Sequence, residues 1–175
     1  YSYIAPLVTK VAGWPEYMVG YAMILAGLGM VVGNFLGAKM AEKLSPLRAV
    51  ATSLTLMVTV LLINSWLAFN PYAVMAMTFI IGAVAFTVAT PIQMAIINTS
   101  KGSESLGSSM NQSAFNMGNA SGAYFAGLPI AYGFGVPAAS LVGAAMAAFG
   151  VALAVALLVL RRQQGDRKKR LAYHG

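Results

Sequence analysis

The chain of 175 residues has no cysteine and one histidine, His174, beside its C-terminal residue. The first absence removes disulfide frames, thiolate metal sites and cysteine nucleophiles. The second leaves metal centres and histidine-based triads without their usual groups, so no metal, cofactor or catalytic residue is expected. Charge is also scarce: charged residues make up 9%, only four of them acidic, against about 25% in a typical soluble domain. A water-soluble fold of this size could not cover its apolar surface with so few charges. A disordered chain is excluded by the opposite property, since 59% of the residues are hydrophobic.

The charges lie in clusters: Lys10 and Glu16, then Lys39, Glu42, Lys43 and Arg48, then Lys101 and Glu104, then the tail from Arg161 to Arg170. Between them run uncharged stretches at 17–38, 49–100 and 105–160. A helix needs about 20 residues to cross a hydrocarbon core of about 30 Å. Asn70-Pro71 divides the second stretch, and the run from Tyr132 through Gly133 and Gly135 to Pro137 divides the third. The expected fold is therefore an all-α integral membrane bundle. It has five complete transmembrane helices at about 17–38, 48–69, 72–98, 105–130 and 137–160, followed by a basic tail at 161–175. Residues 1–13 are apolar but too short to span, and no basic segment precedes them as in a signal peptide. They read as the end of a sixth helix, and the chain as a fragment of a longer one. A β-barrel would need alternating polarity, whereas Ala144 to Leu160 is apolar throughout.

Short loops make consecutive helices antiparallel, which sorts ten of the eleven basic residues to one side and leaves Lys10 on the other. The positive-inside rule makes that side cytoplasmic, the C-terminus included. The run Arg167-Lys168-Lys169-Arg170 then reads as a topology and headgroup anchor rather than a nucleic-acid site. Trp14, Tyr17, Tyr21, Trp66, Phe69, Tyr72, Tyr132 and Phe134 collect at the opposite ends, as an interfacial aromatic belt does.

Three helices carry small residues four apart: Gly29, Gly33 and Gly37; Gly118, Gly122 and Ala126; Ala139, Gly143 and Ala147. Such rows let helix backbones approach closely, either as fixed packing or as a sliding contact. Pro91 interrupts 72–98 and frees the carbonyl of Thr87, with Thr90 and Gln93 nearby. A tolerated kink and a substrate-facing hinge both fit. On 105–130, Ser105, Ser108, Gln112, Asn116 and Asn119 fall within an arc of about 80°. Five polar residues on one stripe avoid lipid by bonding to neighbouring helices or by lining a wet cavity. Two carboxamides a turn apart exceed what packing usually needs, which favours the cavity. No Asp, Glu, His, Lys or Arg lies at membrane depth in the five spans, so no proton relay is visible in this segment.

The stretch GLGMVVGNFLGAKMAEKLSPLR at 27–48 resembles the eighth helix and following cytoplasmic loop of major facilitator superfamily transporters. The family loop motif is Gly-x-Leu-Ala-Asp-Arg-x-Gly-Arg-Arg. Here Glu42 and Lys43 match its acid and base, Ala38 and Ser45 replace the two glycines, and Arg48 keeps the distal basic character. The stretch AFNMGNASGA at 114–123 is similar to the eleventh helix of bacterial drug and sugar efflux permeases. Tyr3-Ile4-Ala5-Pro6, followed by Ala12-Gly13, is similar to the outer end of their seventh. The nearest likeness is to arabinose-efflux-type permeases.

The resemblance implies the C-terminal half of a twelve-helix transporter in a bacterial inner membrane, with helices seven, eight, ten and eleven around a central cavity and nine and twelve outside. It implies efflux of a small sugar or drug-like solute by alternating access, proton-coupled through the missing N-terminal half, which is the expected protein partner along with the lipid bilayer. The candidate substrate contacts are Gln112, Asn116 and Asn119, with Gln93 and Thr90 across the cavity. Thr52, Thr55 and Thr59 form a second stripe, discounted because a threonine hydroxyl can bond to its own helix. The competing reading is a membrane-embedded assembly module without transport, whose glycine rows would also allow self-association. An enzyme ranks behind both.

Overall fold

Apolar runs fold as helices because, away from water, each backbone group must be satisfied within its own segment. The computed structural model describes residues 3–67 and 70–173, with side chains followed as far as Gln164. Helix is present and no strand among the described residues. A short first element, α1, combines Ile4–Pro6 with a wider π turn, Leu7–Val11. Five long helices follow: α2 Tyr17–Leu44, α3 Pro46–Leu67, α4 Pro71–Thr99, α5 Glu104–Ala131 and α6 Ala138–Tyr173.

Four segments are long and apolar enough to cross a membrane: α2, α3, α4 and Ala138–Gln164 of α6. The fifth expected span, α5, has 28 residues, as many as α2. Its serines and carboxamides keep it out of that group.

Helix ends and apolar limits part company at the basic end. The second helix runs through Lys39, Glu42 and Lys43 to Leu44, six residues past the expected limit of 38. The expected 39–48 loop shrinks to Ser45, since α3 starts at Pro46. Likewise α6 does not stop at Leu160 but carries the basic tail as helix to Tyr173. Charge ends an apolar run without ending a helix, because Lys, Glu and Arg are good helix formers. Ser45 makes the turn at φ 77° and ψ 148°, a region that is essentially glycine's.

At the aromatic end, Asn70 caps α4 by accepting from the backbone N–H groups of Tyr72 and Ala73 at 3.1 and 3.2 Å. Pro71 occupies the first helical position, where no N–H is needed. Trp14 donates its indole N–H to the Pro71 carbonyl at 3.1 Å and meets Tyr72 edge-on, with ring centres 5.7 Å apart. Trp66, Tyr72, Tyr132 and Phe134 are exposed. Phe69 and His174 lie outside the described residues, as do the side chains of Arg167, Lys168, Lys169 and Arg170.

The core starts with α1. Ile4, Val8 and Ala12 bury themselves against Ala22 and Ala26 of α2 and Val74 of α4. The tightest seam joins α2 to α4. Ala22, Ala26, Gly29, Gly33, Gly37 and Ala41 form the buried edge of α2, spaced three or four apart along one face. A β-carbon on Gly29 would overlap the Phe79 carbonyl oxygen, and one on Gly33 would overlap that of Ala83. Only glycine permits this approach, and Thr87 exploits it by placing its hydroxyl 3.2 Å from the Gly33 carbonyl.

The third and sixth helices pack differently, with α3 leucines entering small-residue gaps on α6. A β-carbon at Gly143 would lie 3.2 Å from Leu61 Cδ1, and one at Gly150 would lie 3.3 Å from Leu54 Cδ1. Buried Asn64 adds a clamp, donating to Ser140 Oγ at 2.8 Å. The stripe of Thr52, Thr55 and Thr59 is satisfied on its own helix, each hydroxyl donating to the carbonyl four residues back at 2.9–3.1 Å. By contrast, Gly118 and Gly122 of α5 face open space.

Candidate functional site

Helices α4 and α5 are joined by a turn that starts at Ser100, so the last turns of α4 lie beside the first turns of α5. Gln93 sits there with its carboxamide used at both ends. Its Nε2 donates to Ser108 Oγ at 3.1 Å, and its Oε1 accepts from Asn111 Nδ2. At the same level Thr90 donates to Asn34 Oδ1 of α2 at 2.8 Å. Three helices are thus tied by amide and hydroxyl groups on one side of the bundle.

These residues open onto a groove of about 470 Å³. Asn34, Thr90, Gln93, Asn111, Gln112 and Asn119 supply its polar lining, and Phe86, Ala89 and Phe115 its apolar part. Gln112, Asn116 and Asn119 are exposed, and Gln112 Nε2 lies 3.5 Å from Asn116 Oδ1 one turn on. Carboxamides and hydroxyls with spare donors and acceptors beside two phenyl rings suit a neutral solute with polar and apolar parts. The lining contains no ionisable group.

Four of the five expected substrate residues, Thr90, Gln93, Gln112 and Asn119, line this groove, while Asn116 stands beside Gln112 outside the lining. Gln93 does not face the α5 stripe across a gap as expected: it bonds directly to α5, because α4 and α5 touch at this end. Ser108 is likewise taken up by Gln93, so the stripe divides into a joining part and an open part. Pro91 points elsewhere. It is fully buried in the α2–α4 seam, where a β-carbon on Gly37 would lie 3.2 Å from its Cδ and 2.9 Å from the Thr87 carbonyl oxygen. The carbonyl freed by the proline thus lies against Gly37 rather than the groove.

Two lining residues are not visible from the sequence pattern. Asn111 is one, 8% exposed and the only buried residue of α5; it lies about 60° outside the expected arc at helical spacing. Asn34 is the other. Its neighbour Gly33 marks the seam with α4, and a residue one step on lies about 100° round the helix. A polar side chain at the margin of a glycine seam was the available signal.

Glu42, Lys43 and Arg48 are all exposed at the basic end, and Lys39 Nζ stands 4.3 Å over the Phe35 ring. At the turn into α5, Glu104 accepts from the Gly102 backbone N–H at 2.9 Å. That hydrogen bond stabilises the carboxylate and lowers its pKa below the usual range.

Membrane-length helices packed through glycine seams, with a carboxamide-lined groove on one side, define a multi-pass membrane protein. The chain belongs to the Major Facilitator Superfamily, which it matches over residues 1–172. It is 34% identical over 151 residues to the putative transporter AraJ of Escherichia coli (strain K12), covering 83% of this chain and 38% of that one. It is 32% identical over 163 residues to the inner membrane transport protein YdhP of the same strain, covering 93% and 41%. A chloramphenicol resistance protein of Streptomyces lividans is 27% identical over 122 residues, covering 70% and 31%. The chain thus spans about two fifths of the length of AraJ and YdhP. No solved structure matches it.

Proposed function

We propose that this chain is the C-terminal half of a secondary active transporter that exports a small neutral solute, sugar or drug-like, across the bacterial inner membrane. In this reading α2 to α6 are five complete spans, α1 ends a sixth, and the basic end with the C-terminus is cytoplasmic. The polar stripe on α5 lies at membrane depth because it faces a wet cavity and not lipid. Alternating access proceeds by rocking against an N-terminal half, which also carries proton coupling. The open row Gly118 and Gly122 suits close approach of that half.

The observation that carries the reading is the groove shared by α2, α4 and α5, where Asn34, Gln112 and Asn119 present amides beside Phe86 and Phe115. Similarity to an inner membrane transport protein supports transport in general terms. The test is alanine substitution in the full-length transporter, read as solute efflux from cells. Leaving a substrate polar group unpaired in the closed cavity costs about 1–3 kcal/mol, or roughly ten- to a hundredfold in apparent affinity. Asn116→Ala and Asn119→Ala are expected to weaken transport at normal membrane levels, with Ser121→Ala, on the far face, nearly silent. Unimpaired transport with earlier melting in both asparagine variants would assign the stripe to helix packing.

A further inference from the structure

A second groove, of about 400 Å³, lies between α3 and α6 at the basic end of the bundle. Arg48 and Arg162 flank it, and Ala51, Val155, Leu158 and Val159 form its wall. Positions 155, 158, 159 and 162 share one face of α6, as 48, 51 and 52 share one face of α3. Thr52 also lines the groove, but its hydroxyl is committed to the Arg48 carbonyl at 3.0 Å. The two guanidinium groups are therefore the groove's polar end, and among the described residues its lining includes no carboxylate.

We propose that this groove binds an anionic phospholipid, the phosphate held between Arg48 and Arg162 and an acyl chain laid along the apolar wall. The inference rests on the chain being a membrane protein and does not depend on what it transports. Arg48 is the third residue of α3, and Arg162 follows the last apolar residues of α6. Both stand where a helix leaves the hydrocarbon and lipid phosphates lie. Guanidinium groups match phosphate oxygens in paired hydrogen bonds, and basic pockets between membrane helices select acidic headgroups. A free phosphate would use the arginines and leave the wall without a role. A zwitterionic lipid would place its own cation against them.

The test is native mass spectrometry of the full-length protein in mild detergent, with phosphatidylglycerol or phosphatidylcholine added. Phosphatidylglycerol is expected to be retained at least tenfold better than phosphatidylcholine. The pair Arg48→Gln and Arg162→Gln should remove that preference. Thr52→Trp, which fills the wall and keeps both arginines, should lower phosphatidylglycerol retention about tenfold. Arg161→Gln, which removes a neighbouring charge outside the groove, should leave it unchanged. Equal retention of the two lipids would overturn the proposal. So would an equal loss in Arg161→Gln, or displacement of the lipid by millimolar inorganic phosphate.

Discussion

The sharpest consequence of the α2–α4 seam is a graded response to alanine along α2. In an exposed helix interior, Gly→Ala gains about 0.8–1.0 kcal/mol from propensity alone. At Gly33 that gain meets a carbonyl, since the added methyl overlaps the Ala83 oxygen and has no flexible side chain to push aside. Restoring an ordinary separation of about 3.5 Å requires the two backbones to part by roughly one and a half ångströms. Parting also draws Thr87 Oγ1 away from the Gly33 carbonyl at 3.2 Å, the weaker of its two contacts, and leaves its proton to the Ala83 carbonyl at 2.8 Å. Overpacking typically costs about 1–3 kcal/mol, so Gly33→Ala should be a net loss near the top of that range despite its better propensity. Gly29→Ala, against the Phe79 carbonyl, should match it. Gly37→Ala, whose closest approach is 2.9 Å, should be milder. Gly118→Ala and Gly122→Ala face open space, so they should keep the propensity gain and raise stability by about 0.8–1.0 kcal/mol each. The assay is thermal unfolding of the purified protein in detergent, followed by tryptophan fluorescence from Trp14 and Trp66. An unchanged melting temperature in Gly33→Ala would refute the close backbone approach and the register of the seam with it.

Gln93→Leu removes the partner of Asn111 and Ser108, leaving a buried carboxamide unpaired, and should destabilise by about 1–3 kcal/mol in the same melting assay; Gln93→Glu should recover part of the loss by accepting from Asn111. Ser45→Gly relieves a backbone conformation that costs a non-glycine residue of order 1–3 kcal/mol, so the melting temperature should rise rather than fall. Single cysteines at Gly102 and Gly135 test the topology: a membrane-impermeant maleimide applied to intact cells should label Gly135→Cys and leave Gly102→Cys unlabelled, and the reverse pattern would invert the bundle.

The legible parts of this protein are those that depend on composition along the chain. Helix is the local answer to an apolar run in lipid, so the all-helical character of the chain and its breaks at Asn70-Pro71 and at the glycines near Tyr132 could be read from order alone. So could the self-satisfied threonines of α3, whose bonds stay within one turn. Helix ends at the basic side are not legible in that way, because charge marks the edge of the apolar run while Lys39, Glu42, Lys43 and the residues after Leu160 continue the helix into water. What one helix offers another was decided only in three dimensions. The three glycine rows look alike in sequence, yet one receives a backbone, one receives the Leu61 side chain at Gly143 and one has its glycines facing open space, because occupancy depends on which helix lies opposite. For the same reason Pro91 turned into the α2–α4 seam, Gln93 became a bridge, and Asn34 and Asn111, from separate helices, came to line the same groove. A helical face records which side chains stand together, but the rotation and neighbours of that face are set by the packing of the whole bundle.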